Sequence, residues 1–358
     1  MLKGIRVIDF SRYFPGPFGT ERLRALGAEV IKVEDPGIGD LCRGSDRIDG
    51  QEGAMFRSLN WGKKSVALDL KNEDDHKKVL KLIQSADAVV ESFRPGVAKR
   101  LRIDYETVSA LNPKLVYVSI SGYGQNSYLS KLGGHDPNYL AMAGLLSQLC
   151  DKNGVPIRTH ATLGDFTTGL ITSECVLAGL FKAQREGKGQ YFDLSMTEAT
   201  MSLLSTHITW ASLKEGNMDL CECICNGIYE TSDGRYMTIA AAEPKFFYNF
   251  CSAVGRPDLF EHQFEPDIED NPYKQEMVEI FLSRTFEEWT RFGEEVDCCM
   301  APVLNPEELA TARHVVERRM IEKHNGMDIL RPYYSLHLPS EGIEAPFPVL
   351  GGDNENLL

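Results

Sequence analysis

The feature that most narrows the fold is an alternation in the N-terminal half. Short apolar runs, each bounded by a turn signal, are separated by charged segments with helical spacing. The runs are Ile5–Phe10, Glu29–Val33, Ser65–Leu70, Ala88–Glu91 and Leu115–Ile120. Such punctuation implies a mostly buried parallel sheet joined by right-handed crossovers. After the first run, Pro15-Gly16-Pro17-Phe18-Gly19 reads as a turn, and a short helix through Glu21 to Leu26 is closed by Gly27. Two longer helical patterns, about Asp165–Arg185 and about Thr197–Leu213, flank one more strand at Lys188–Leu194. Beyond Cys221–Cys225 the texture changes. Gly227–Thr231 and Tyr236–Ala240 form a hairpin around Asp233-Gly234, and helical segments follow to about Lys323. From Arg331 onward Pro, Gly and Ser dominate, and Asn356-Leu357-Leu358 reads as a loose end. The expectation is an α/β fold, a larger α/β domain followed by a smaller α+β one.

Composition narrows the partners. The chain has 358 residues and a formal net charge of −14. That acidic balance argues against general nucleic-acid or polybasic membrane binding, while leaving room for a local basic site. No run is long and apolar enough to span a membrane, and no apolar signal segment precedes the first strand. Nine cysteines in a chain this long fit a reducing cytosol, so a cytoplasmic location is expected.

Several motifs have both a bland and a chemical reading. Glu34 closes the second strand where a ribose-binding acid would sit, but Gly16-Pro17-Phe18-Gly19 supplies only part of a dinucleotide fingerprint, and its prolines remove donors. Cys221, Cys223 and Cys225 could share one face of an extended strand, yet no second ligand pair accompanies them, so no metal is expected. In Gly133-Gly134-His135-Asp136-Pro137-Asn138-Tyr139, Asp136-Pro137 reads as N-cap and N1 of a helix, and His135 would lie beyond the carboxyl edge of the sheet. Asp165, in Gly164-Asp165-Phe166, either caps the long helix or does chemistry. Glu243, before Pro244, poses the same choice. Basic residues cluster at Lys63-Lys64 and at Arg94, Lys99 and Arg100, where a phosphate-bearing ligand competes with a merely solvated face.

Taken together these segments resemble the class III coenzyme A transferase (CaiB/BaiF) superfamily, which includes carnitine CoA-transferases and α-methylacyl-CoA racemases. The resemblance rests on Leu2–Asp9, Leu26–Glu34, Leu68-Asp69-Leu70-Lys71, Phe93-Arg94-Pro95-Gly96-Val97 and Gly187-Lys188-Gly189-Gln190, and it runs to Ala345–Pro348. Gly134–Tyr139, Gly164-Asp165-Phe166 and Ala242-Glu243-Pro244-Lys245-Phe246 are similar to the racemase branch. Asp35 and Ala161 depart from it, standing where racemases typically carry Arg and Asn.

The resemblance implies a Rossmann-like large domain over residues 1–215, a small domain over 216–325, a return of the chain over 326–358, and an interlocked homodimer. It implies a racemase or epimerase inverting the α-carbon of a 2-methylacyl-CoA. His135 and Asp165 would act on opposite faces of an enolate, with Glu243 paired to His135. Free N–H groups at the start of the Asp165 helix would stabilise the enolate oxygen. The coenzyme A thioester is substrate, with no further cofactor. CoA contacts are expected from Leu68, Asp69, Leu70, Lys71, Ser92, Phe93, Arg94, Arg100, Gly134, Asp136, Asn138 and Tyr139. The phosphates would lie on Arg94, Arg100 and Lys71, at the ends of adjacent strands. The alternatives are CoA transfer between carboxylic acids through an Asp165 anhydride, and a CoA-binding relative without activity.

Overall fold

The computed structural model describes residues 1–47, 52–151, 153–213, 222–331 and 346–358. Two compact units divide the chain: Met1–Thr206 with Arg318–Leu358, and His207–Glu317. The first unit opens with β1 (Arg6–Asp9), α1 (Pro15–Ala25), β2 (Glu29–Glu34), α2 (Ala54–Asn60), β3 (Lys64–Ala67), α3 (Glu73–Gln84) and β4 (Ala88–Glu91). It continues with α4 (Val97–Arg100), α5 (Tyr105–Ser109), β5 (Val116–Ser121), α6 (Asp136–Met142), α7 (Leu163–Glu186), β6 (Gln190–Ser195) and α8 (Met196–Met201).

The six strands form one sheet in the order β3-β2-β1-β4-β5-β6, parallel throughout. Alternate strand residues feed two separate apolar clusters. Ile8, Ile31, Val66, Val89 and Tyr117 belong to one, and Val7, Val30, Ala88, Val90, Val116 and Val118 to the other. Both faces are therefore covered, which is why these strands read as near-continuous apolar runs.

Helix α1 begins at Pro15, six residues before the expected start. The Pro/Gly run is its first turn, where a missing N–H costs nothing because those amides have no helical partner. Its glycines serve packing. A Cβ on Gly19 would stand 2.8 Å from the Gly169 carbonyl oxygen of α7, so the two helices touch backbone to backbone. The strand expected over 65–70 ends at Ala67, leaving Leu68–Lys71 beyond the carboxyl edge of the sheet. The helix expected over 197–213 is broken into α8, a 3-10 turn at Ser202–Leu204 and α9 (Ser205–Leu213). There the Ser202 hydroxyl donates to the Ala199 carbonyl at 2.6 Å, competing with the helical ladder.

In the second unit a hairpin of β7 (Asn226–Glu230) and β8 (Tyr236–Ala240) precedes α10 (Pro244–Ala253), α11 (Pro272–Leu282) and α12 (Phe286–Glu295). Strand β9 (Met300–Pro302) pairs antiparallel with β8, and α13 (Arg313–Glu317) follows. Its core is aromatic, with Tyr229, Phe247, Phe250, Phe281 and Trp289 in one cluster and the Trp289 indole donating to the Phe281 carbonyl at 2.7 Å. Back in the first unit, β10 (Ile321–His324) and β11 (Met327–Leu330) form a hairpin over Asn325-Gly326, both at positive φ. The segment after α12 is thus not all helical, as the periodicity had implied. β9 is too short for periodicity to register, and the Asn-Gly turn was the readable signal of the hairpin.

The closing residues are anchored rather than loose. α14 (Asn354–Leu357) lies against the outer edge of β3. The Asp353 carboxylate accepts from the Ser65 N–H at 2.9 Å, and the Asn354 amide accepts from the Ala67 N–H at 2.9 Å. The Asp353 N–H donates back to the Ser65 carbonyl at 3.0 Å. Side chains and backbone here do what a further strand would otherwise do.

Candidate active site

Where a doubly wound fold would seat a nucleotide, at the carboxyl ends of β1 and β2, this chain has a buried ion cluster. Lys63 pairs with Asp9 at 3.1 Å, Lys32 with Asp40 at 2.9 Å and Arg43 with Glu34 at 2.7 Å, all buried. Lys63 also donates to the Thr20 hydroxyl at 2.8 Å and the Pro17 carbonyl at 2.9 Å, at the head of α1. Burial pushes the Asp9 carboxyl up, but Lys63 and Lys32 outweigh it and hold the group well below the usual carboxylate range. Glu34 is likewise consumed, by Arg43, the Asp40 N–H and the Ser65 hydroxyl. Among the described residues these acids and cations are spent on one another. Lys64, at the start of β3, pairs with Glu29 at 2.5 Å.

The candidate residues lie on other connections at the same edge. After β3, Leu68 is buried, Leu70 half-buried, and Asp69 and Lys71 exposed, with the Lys71 N–H donating to the Asp69 carboxylate at 2.9 Å. After β4, the Ser92 hydroxyl accepts from the Arg12 N–H at 3.0 Å and Phe93 packs on Phe10. Arg94 and Arg100 are exposed, and neither they nor Lys71 form an ion pair among the described residues. One expectation needs correcting. β3 and β4 are not adjacent, because β2 and β1 stand between them. The connections that follow β3 and β4 nevertheless meet, since Arg102 pairs with Glu73 at 2.6 Å, two residues from Arg100 and Lys71 respectively.

After β5, the chain from Gly133 to Tyr139 is held by its own polar groups. The Tyr139 hydroxyl donates to the Gly134 carbonyl at 2.6 Å, and the Asn138 side chain accepts from the His135 N–H at 3.0 Å. A Cβ on Gly133 would lie 2.8 Å from an Arg94 guanidinium nitrogen, so the β4 connection reaches this loop. His135, expected just outside the helix, is its N-cap residue; its imidazole makes no capping bond and is exposed.

Asp136 was expected to cap α6 and does not. It is the first residue of that helix, and its buried carboxylate reaches to α7 instead. One oxygen, Oδ1, accepts from the Gly164 N–H at 2.8 Å and the Asp165 N–H at 3.0 Å. The Leu163 N–H donates to the Ala161 carbonyl and the Phe166 N–H to the Thr162 carbonyl, each at 3.1 Å. No amide in the first turn of α7 is therefore free, and the expected enolate donors are already taken.

This arrangement releases Asp165 from capping. Its carboxyl forms no hydrogen bond among the described residues and is half-buried. Burial, with the Asp136 charge second, pushes it up to about 7. A carboxyl in that range can both take and give a proton near neutrality. In the second unit, Glu243 is the N-cap residue of α10, with Pro244 at N1, yet its exposed carboxylate makes no capping bond. The capping readings of Asp165 and Glu243 both fail on geometry.

Sequence reasoning missed the reach of Asp136 across 28 residues, since a cap supplied by another helix has no local signature. It also missed Glu91, which ends β4 buried against Ser119. Cys221 lies outside the described residues. Cys223 and Cys225 are buried with their sulfurs 3.3 Å apart. Among the described residues no group of three His, Cys, Asp or Glu is arranged to hold a metal ion, and no helix is long and apolar enough to cross a membrane.

The chain is similar to an α-methylacyl-CoA racemase of Mus musculus, with 33% identity over 328 residues, 89% of this chain and 81% of that protein. It is equally similar to an acyl-CoA transferase of Fusarium pseudograminearum, at 33% over 334 residues, 87% of this chain and 72% of that one. An acetyl-CoA:oxalate CoA-transferase of Acetobacter aceti matches at 29%, over 90% and 86% of the two chains. Among solved structures, the Rv3272 protein of M. tuberculosis superposes with a TM-score of 0.84 at 26% identity, covering 100% of this chain and 99% of that one. The model of CoA-transferase family III matches residues 2–354, and the chain belongs to that family.

Proposed function

We propose that the protein is an acyl-CoA racemase or epimerase that inverts the α-carbon of a 2-methylacyl-CoA. One observation carries the reading. Asp136, the residue after an exposed histidine, is hydrogen-bonded to the backbone of a carboxyl poised near neutrality, so two proton carriers stand on neighbouring helix starts. The thioester carbonyl acidifies the α-hydrogen. His135 or Asp165 takes that proton from one face, leaving an enolate, and the other gives a proton to the opposite face. The pair carries one proton between them, so the C–H bond broken and the C–H bond formed balance.

The coenzyme's phosphates are assigned to Lys71, Arg94 and Arg100, exposed cations without internal partners among the described residues. The loop from Gly134 to Tyr139 and the Ser92-Phe93 segment line the thioester end. The active form is proposed as a homodimer. In support, Phe166, Leu170, Leu177 and Phe181 leave an apolar stripe exposed along α7.

A second reading, CoA transfer between carboxylic acids, is favoured by the names of the fungal and Acetobacter relatives. There Asp165 attacks the thioester carbonyl, coenzyme A leaves as thiolate and an anhydride remains on the enzyme. The two separate in D₂O. With a single 2-methylacyl-CoA and no free acid, the racemase incorporates α-deuterium detectable by NMR. Acyl-dependent labelling of Asp165 with CoA transfer to an added acid, and no deuterium at the α-carbon, overturns the racemase reading.

A further inference from the structure

Asp136 lies between the two proton carriers and belongs to neither role. Its carboxylate is buried, 5% exposed, and it is spent on the backbone of a different helix. A helix start needs its free amides satisfied, and the residue placed to do so in sequence, Thr162, makes no side-chain capping bond. Asp136 supplies that cap from α6. The contact is tight, since a Cβ on Gly164 would lie 3.1 Å from Asp136 Oδ1 and 2.9 Å from the Thr200 hydroxyl.

We propose that Asp136 is a positioning residue for Asp165. Through two backbone hydrogen bonds it fixes the first turn of α7, and it sets a second negative charge beside the reacting carboxyl. The inference rests on Asp165 being a proton carrier, as proposed above. Two consequences follow from the chemistry. By consuming the amides of the turn, Asp136 denies them to the Asp165 side chain, which would otherwise cap its own helix and be held ionised. Its charge also opposes ionisation of Asp165 directly.

Among the described residues Asp136 is the charge that acts on Asp165, and Arg94 is felt at the neighbouring Tyr139. Tyr139, on α6, is neutral, its hydroxyl pushed up to about 12 by burial and then by Tyr123 and Asp165, with Arg94 acting the other way. Phe14 and Phe18 of the α1 region meet Phe166, and α8 contributes the Thr200 hydroxyl. Asp136 itself is raised by burial, and the Asp165 and Gly164 amides offset part of that rise.

The test uses Asp136→Asn, which keeps an acceptor oxygen and loses the charge, beside Asp136→Ala, which loses both. The Asp165 carboxyl is titrated by NMR in ¹³C-aspartate-labelled full-length protein, assigned with Asp165→Asn, and α-hydrogen exchange is followed against pH. In Asp136→Asn the Asp165 titration and the low-pH limb of kcat should both move to lower pH by about one pH unit, with KM little changed. In Asp136→Ala kcat should fall on the order of 100-fold, the scale of a misplaced reacting group. Should either variant fail to fold, Gly164→Ala pushes Asp136 aside without deleting it, and the same downward shift is expected. An Asp165 titration unmoved in the folded variants overturns the inference. A titration that moves in a protein without α-exchange upholds it, and the racemase reading alone then falls.

Discussion

Replacing Glu91 by Gln should stabilise the protein, and increasingly so as pH rises. Glu91 ends β4 with 2% of its surface exposed. Its two oxygens accept from the Ser119 hydroxyl at 2.5 Å and the Phe93 N–H at 2.7 Å. Burial raises its carboxyl to about 7; those two hydrogen bonds offset part of the rise and the Asp193 charge adds to it. Tyr117 and Tyr191 are the remaining titratable neighbours, and neither is cationic. A folded-state value above the unfolded one means the native state binds the extra proton. Stability is therefore fully present below the unfolded value near 4.5 and is lost as pH rises toward 7. The interval corresponds to about 3 kcal/mol. Gln reproduces the protonated acid, since its NH₂ can donate to Ser119 and its oxygen can accept from the Phe93 N–H. Urea unfolding followed by far-UV circular dichroism should find the two proteins close near about pH 4.5 and Glu91→Gln ahead by about 3 kcal/mol near about pH 8. Glu91→Leu, which strands both donors, should lose about 1–3 kcal/mol per stranded group throughout. A Gln advantage that is constant with pH, or absent at the alkaline end, would refute the reasoning.

Other outcomes follow from the same geometry. His135→Ala and Asp165→Ala should each lower α-hydrogen exchange by on the order of 10²–10⁴ while circular dichroism stays native; near-wild-type exchange removes that residue from the mechanism. Arg100→Ala should weaken coenzyme A binding several-fold at low salt, roughly three- to tenfold, and calorimetry should find the deficit shrinking as salt rises. Equal affinity at low salt would move the phosphates elsewhere. Trp289→Ala should destabilise the second unit by about 3–5 kcal/mol in denaturant titrations, because its indole fills an aromatic core and satisfies the Phe281 carbonyl.

How far the chain could be read from its letters depended on the range of the interactions. The parallel strands were legible because burial on both faces writes itself as an uninterrupted apolar run, and Ala88–Glu91 is recovered to the residue. The start of α1 was misread because Pro-Gly-Pro signals a turn as readily as a first helical turn, and only packing against Gly169 decides between them. Glu34 sat at the right place for a ribose acid, and what removes it is Arg43, nine residues on and folded beneath it. The site divides in the same way. That His135 and Asp165 stand beside helix starts was readable. That the cap of α7 is supplied by Asp136, leaving the Asp165 carboxyl uncommitted, depends on two helices meeting, which no spacing within either encodes.

The seal on the β3 edge has a consequence for how the protein is made. Asp353 closes onto Ser65 across 288 residues of chain, and Asn354 onto Ala67 across 287. At ordinary synthesis rates the strand can emerge and join its sheet tens of seconds before its cover exists, on the order of 15–60 s. During that interval the nascent sheet presents an open row of amides and carbonyls to neighbouring chains on the same message. Whatever attends this protein at the ribosome has that border to guard until the protein itself relieves it with a handful of side chains.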